Sequence, residues 1–183
     1  RRIDVGAISA DAFETRYFAN SVGMFMVAVI GIHAAEIRRA HGLLMYLIAT
    51  VQTLAKDYAA APIRLCVDGQ ETQHEVVMLT FGNGPREGGG FLTNPPADIA
   101  DGVLNYTFSY AIPRLLMLSL LPAIMRGTHS NQPNVRMGTG CSIRLDSEVA
   151  VPIHVDGEIW ARPEDNLRSF EVCIQPGALE LLA

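Results

Sequence analysis

The sequence predicts an α+β domain, predominantly antiparallel and β-sandwich-like, with two covering helical segments. Short runs of alternating or continuous apolar residues recur along the chain, punctuated by Asp-Gly, Asp-Ser and Pro, as strands and tight turns require. Two longer stretches instead repeat apolar residues at i, i+3, i+4 and i+7, the signature of one helical face. Of the 183 residues, 49% are apolar and 18% charged, which excludes a disordered chain and allows a sizeable core.

In chain order, residues 3–8 and 16–20 read as a β-hairpin joined through a polar Ser-Ala-Asp segment. Residues 21–32 are apolar and contain Gly23 and Gly31; their periodicity leaves a buried strand and a helix approach both open. A helix is expected over 34–58, with Leu44, Leu47, Ile48, Val51, Ala55 and Tyr58 on one face. Gly42 could split it, and Pro62 stops it. Strands 63–67 and 74–81 flank Asp68–Gly69, a strong hairpin signal. A further strand covers 103–110. Pro113 stands where a second helix could begin, Pro122 should kink or divide it, and Gly127 ends it. Beyond Val135 the chain returns to strands, at 142–145, 149–155, 158–161 and 169–174. In the second of these, Val149, Val151, Ile153 and Val155 form one apolar face, with His154 and Asp156 on the other.

The net charge of −5 with no basic run carries no electrostatic footprint for nucleic acid. Cys66, Cys141 and Cys173 lie far apart, an odd count without CxxC spacing. That argues against a zinc site or a disulfide framework and suits a reducing cytosol. No apolar stretch is convincing as a bilayer span, and no signal peptide is evident. The chain begins Arg-Arg without an initiator Met and reads as a piece of something longer.

Residues 82–105 concentrate the backbone-special residues: Gly88, Gly89 and Gly90 in a row, Pro95–Pro96, and Asp101–Gly102. A Gly-rich, Pro-braced loop of this length is more often a functional surface than a bare connector. Within it, Asp98 and Asp101 with neighbouring carbonyls could offer the oxygen ligands a hard cation wants. Asp156 and Glu158 flank a second Asp-Gly turn beside His154 and could orient and deprotonate a hydroxyl, although acidic turns are also ordinary surface. His129 follows a helix end, where it could cap exposed carbonyls. The Met pairs Met24/Met26 and Met117/Met125 suit pliable core packing or a lipid-facing groove.

Four segments in order give these features a common context: IDVGAI with RYFANSVG, then FGNGPREGGGFLTNPPADIADGVLNY, RGTHSNQPNVRM and VPIHVDGEIW. Together they resemble the C-terminal domain of the diacylglycerol kinase/sphingosine kinase family of soluble lipid kinases, bacterial type included, through nearly the whole chain. The resemblance implies that residues 1–183 form one domain on the lipid side of a two-domain enzyme, with the active site in the cleft between domains. It implies ATP-dependent phosphorylation of a lipid hydroxyl with Mg²⁺, on diacylglycerol, a sphingoid base or an undecaprenol-like alcohol. Glu158 matches the family's proposed base and Asp156 the aspartate of the same motif. Asp101 matches the aspartate of a structural magnesium site, with carbonyls expected from Asp98 and Val103.

It further implies a cytoplasmic protein in peripheral contact with the membrane, and an isolated half that could homodimerise. The family's Gly-Gly-Asp-Gly-Thr phosphate loop and the nucleotide domain carrying it are absent from this chain. The fragment alone is therefore expected to be inactive. The alternative is a non-catalytic lipid-binding module on the same scaffold.

Overall fold

The structure, a computed structural model, describes residues 1–88 and 90–182. Eleven strands form one antiparallel sheet: β1 (Arg2–Ala10), β2 (Phe13–Phe18), β3 (Ser21–Phe25), β4 (Ala61–Val67), β5 (Gln70–Gly82), β6 (Leu104–Tyr110), β7 (Val135–Gly140), β8 (Ser142–Ser147), β9 (Ile153–Val155), β10 (Glu158–Ala161) and β11 (Ser169–Glu180). Their order is β10-β9-β3-β5-β4-β8-β11-β1-β2, with β6 and β7 branching from β5. Among the described residues three α-helices complete the fold: α1 (Met26–Glu36), α2 (Gly42–Lys56) and α3 (Arg114–Arg126).

The branch is built into β5, the longest strand. Val76 pairs with Ala61 of β4 and Tyr110 of β6, and residues 78–82 then pair with β3 and β6. One edge of β5 thus passes from β4 to β3 while the other carries β6. A bulge between Val76 and Met78 re-phases the strand. Val76, Leu79 and Phe81 enter the core inside the sheet, whereas Val77 and Met78 join a second core under the helices, with Leu54, Phe91, Met117, Leu120 and Ile124. A bulge adds one unpaired residue and turns the side chains that follow, as it does here. One sheet therefore serves two cores.

The helical expectations are met in outline and refined in detail. The first segment is two helices, with Gly42 at φ +59° opening α2. Its α1 half starts eight residues before the expected 34, directly off β3. The junction is Phe25, buried and at φ +55°. A bulky residue at positive φ is costly, on the order of 1–3 kcal/mol. It is held by burial of its ring and by donation of its N–H to Pro152 O at 3.2 Å. Pro122 lies within α3 without dividing it. Gly127 (φ +70°) ends that helix as expected, with Thr128 N–H donating to Ala123 O at 2.9 Å.

The expected strand 149–155 shrinks to Ile153–Val155, and Val149 is exposed. Nor is its second face a solvent face. His154 is buried, because α1 covers that side and the ring lies directly over Gly23 of β3.

Candidate functional site

The Asp68–Gly69 turn has φ angles of +47° and +84°, as a primed hairpin turn requires, and is structural. Asp156–Gly157 has the same form, at +49° and +87°, and, as the Asp68 carboxylate does with the N–H groups of Cys141 and Ser142, its carboxylate ties down a distant connection. It turns back to accept three backbone N–H groups from the β2–β3 connection: Ala19 at 2.9 Å, Asn20 at 3.1 Å and Ser21 at 2.8 Å. Asn20 passes the connection on. Its carbonyl accepts the N–H groups of Asn83 and Gly84 at 2.8 Å, and its side-chain amide donates to Arg86 O at 2.7 Å. Asn83, fully buried, donates to Asp4 O and Ala19 O at 2.9 and 2.8 Å.

The Gly-rich loop is thus tied to both neighbouring motifs. Asn94 anchors its middle, donating to Thr80 Oγ1 and accepting from Thr107 Oγ1, both at 2.9 Å. The segment after α3 holds its far side. His129 is buried beside the end of α3, with Nε2 3.2 Å from Thr93 O and its ring also close to the Ala123 backbone in the last turn of the helix. Only an N–H can bond a carbonyl, so Nε2 carries the proton there. Burial pushes the imidazole pKa down, and the backbone carbonyls of Thr93 and Ala123 pull it partly back. All four sequence motifs therefore meet around one loop. Of the Gly run, Gly89 lies outside the described residues. Gly88 and Gly90 both have positive φ, and Glu87 pairs with Phe91 across them.

Beside this loop opens a cleft of about 310 Å³. One end is polar, lined by Asn20, Ser21, Glu87, Thr93, His154 and Asp156. The walls are apolar: Met26, Val27 and Ile30 from α1, Tyr46 from α2, Met78 and Phe91 beneath, and Met117, Leu121 and Ile124 from α3. Small-ligand sites have this size and this division of labour, apolar walls with a few polar groups fixing orientation. Met26 and Met117, two of the four methionines singled out for a groove, face the cleft. Met24 is buried in the core within the sheet, and Met125 is exposed.

Glu87 was not singled out in the sequence. Neither of its carboxyl oxygens has a hydrogen-bond partner among the described residues. Burial pushes its pKa above the ordinary carboxylate value. His154 and the nearby Ser21 and Thr93 hydroxyls pull it partly back, and Asp156 pushes the same way as burial.

Glu158, two residues beyond Asp156, does not line the cleft. Its side chain is 72% exposed and forms an ion pair with Arg16 of β2. Asp98, Asp101 and Val103 lie in the loop before β6, beside β1 and β11, and do not join the cleft either. Ala100 N–H donates to Asp98 Oδ1 at 3.0 Å, and Val103 N–H to Asp101 Oδ1 at 3.1 Å. Among the described residues no three His, Cys, Asp or Glu side chains cluster as metal ligands. A site built from one carboxylate and backbone carbonyls is a different donor set, all oxygen, and suits Mg²⁺ in type.

A curled antiparallel sheet thus carries a helix-walled amphipathic cleft beside an acidic turn. The chain belongs to the family described as the YegS C-terminal NAD kinase beta sandwich-like domain, which matches residues 20–183. It is 28% identical over 181 residues to a diacylglycerol kinase of Mycobacterium tuberculosis, covering 98% of this chain and 56% of that protein. The crystal structure of a putative diacylglycerol kinase from Bacillus anthracis str. Sterne superposes with a TM-score of 0.68 at 19% identity, over 97% of this chain and 54% of the other. A second structure of a putative diacylglycerol kinase from that organism gives 0.67. The chain spans about half the length of the curated relatives it matches.

Proposed function

We propose that this chain is the lipid-side domain of an ATP-dependent lipid kinase, acting on the hydroxyl of diacylglycerol or a related lipid. One observation carries the reading: helices α1, α2 and α3 line the cleft mainly with apolar side chains, and the carboxylates of Asp156 and Glu87 line it as well. That lining suits a lipid, with its chains along the helices and its hydroxyl toward the carboxylates. ATP is bound mainly by a second, nucleotide-binding domain.

Glu158 acts as the general base. Its carboxylate takes the proton of the lipid hydroxyl as that oxygen bonds to the γ-phosphorus and the bond to ADP breaks. Asp156 positions the site by fixing the β2–β3 connection against the Gly-rich loop. The exposure of Glu158 suits a base that completes its site only when the second domain closes over it. Asp101, with the carbonyls of Asp98 and Val103, would hold Mg²⁺, whose fixed charge would order the loop before β6. A lipid substrate makes the protein cytoplasmic and peripheral to the membrane; no helix among the described residues is long and apolar enough to cross one.

Photo-crosslinking tests the cleft. A diacylglycerol analogue with a diazirine on its acyl chain, added to the full-length protein, is expected to label peptides containing Phe91, Met117 or Leu121. Excess unlabelled diacylglycerol should suppress that labelling. Labelling confined to the β1–β2–β11 end of the sheet would refute the assignment.

A further inference from the structure

Helices on a protein surface ordinarily turn a charged or polar face to water. The outer faces of α2 and α3 do not. No Asp, Glu, Lys or Arg occurs in residues 42–55 or 115–125. On α2, Leu44 (58% exposed), Ile48 and Val51 (54%) form one exposed stripe at i, i+4 and i+7. On α3, Leu115 is 81% and Leu116 54% exposed. The inner faces of the same helices supply Tyr46, Met117, Leu121 and Ile124 to the cleft wall.

Charge is arranged around these stripes in one sense. Arg38 and Arg39 precede α2 and Lys56 ends it, while Arg114 and Arg126 bracket α3. The helical segments 26–58 and 111–128 hold five Arg or Lys against two acidic residues, a net of +3 in a chain of −5. The remainder therefore carries −8. The helical layer is the cationic side of an acidic protein, and its centre is apolar.

An apolar stripe rimmed by cations is complementary to an anionic bilayer. Apolar side chains enter the acyl boundary and basic ones meet the head groups. We propose that α2 and α3 dock flat on an anionic membrane through Leu44, Ile48, Val51, Leu115 and Leu116, so that lipid reaches the cleft from the bilayer without crossing water. This deepens the lipid-kinase reading and rests on it for the identity of the cargo. The docking itself needs no catalysis and is measured without it.

The test is co-sedimentation of the full-length protein with vesicles of phosphatidylcholine containing phosphatidylglycerol, without diacylglycerol or ATP. The wild type is expected to partition onto them, and less so onto pure phosphatidylcholine or in high salt. L115E/L116E, at two solvent-exposed positions that leave the fold intact, is expected to bind at least about tenfold more weakly. L44E/V51E should do the same from the other helix, whereas Y17E, on β2, should bind like wild type. Unchanged partitioning of both double variants would overturn the proposal. So would a dimer that L115E/L116E dissolves, which assigns the face to a second copy. A full-length protein that ignores the vesicles would overturn it too and give the face to the rest of the chain. Vesicle binding without lipid phosphorylation would sink the kinase reading and leave the docking surface standing.

Discussion

Glu158→Gln in the full-length protein is expected to lower phosphate transfer to lipid by about 10²–10⁴-fold, the range a positioned general base contributes. Gln keeps the size and one carbonyl oxygen of Glu158 but cannot take a proton from the lipid hydroxyl. The fold should hardly register the change. Glu158 is 72% exposed, and its contact to Arg16 is a surface ion pair, worth about 0–1 kcal/mol. For a domain of this size that corresponds to a Tm shift within about 2–4 °C. Arg16→Ala separates the two roles of the pair: it removes the contact and leaves the carboxylate, so activity should survive in large part. Transfer by Glu158→Gln within threefold of wild type would remove Glu158 from the base role.

Asp4→Ala is expected to cost about 3–5 kcal/mol, by a mechanism unrelated to the cleft. Asp4 is 3% exposed, and its two carboxylate oxygens accept the N–H groups of Gly102 and Gly177, each at 2.7 Å. Its own N–H donates to Ile99 O, also at 2.7 Å, so one residue of β1 holds both the loop before β6 and the bend in β11. Hydrogen bonds to a charged group contribute about 1.5–3 kcal/mol each, and alanine leaves two part-buried donors without the carboxylate. Asp4→Asn should recover little, because its amide nitrogen would face one of those donors. Urea unfolding of the wild type and both variants measures this. The loop should also loosen first, with faster hydrogen exchange at Ala100, Gly102 and Val103 than elsewhere. A loss under about 1 kcal/mol would show that the loop stands without its clamp.

What could be read from the sequence follows from how local each signal is. Asp68–Gly69, Gly127 and Pro113 specify backbone geometry within a few residues, and each lies where its chemistry requires. The meeting of the four motifs around the Gly-rich loop was implicit in their order, and Asn20 and Asn83 supply the bonds that realise it. The start of α1 could not be found, because the junction at Phe25 and Met26 carries neither Gly nor Pro, and the positive φ of Phe25 is imposed by tertiary burial. His154 follows the period of two, but alternation does not say what covers its face, and helix α1 does. Asp4 and Glu87 carry no local mark at all. Asp4 matters because strands nearly the full chain length apart meet it, and Glu87 because the fold buries its carboxyl beside Ser21, Thr93 and His154.

The most direct measurement is transfer of labelled γ-phosphate from ATP to a panel of diacylglycerol, sphingosine and undecaprenol, with Mg²⁺, by the full-length protein and by residues 1–183 alone. The account predicts a labelled lipid from the full-length protein and none from the isolated domain, with chromatography of the product naming the substrate. No labelled lipid from either protein, under conditions where the full-length protein is folded and crosslinks the diacylglycerol analogue in its cleft, would contradict it. The chain would then be a lipid-binding module on a kinase scaffold.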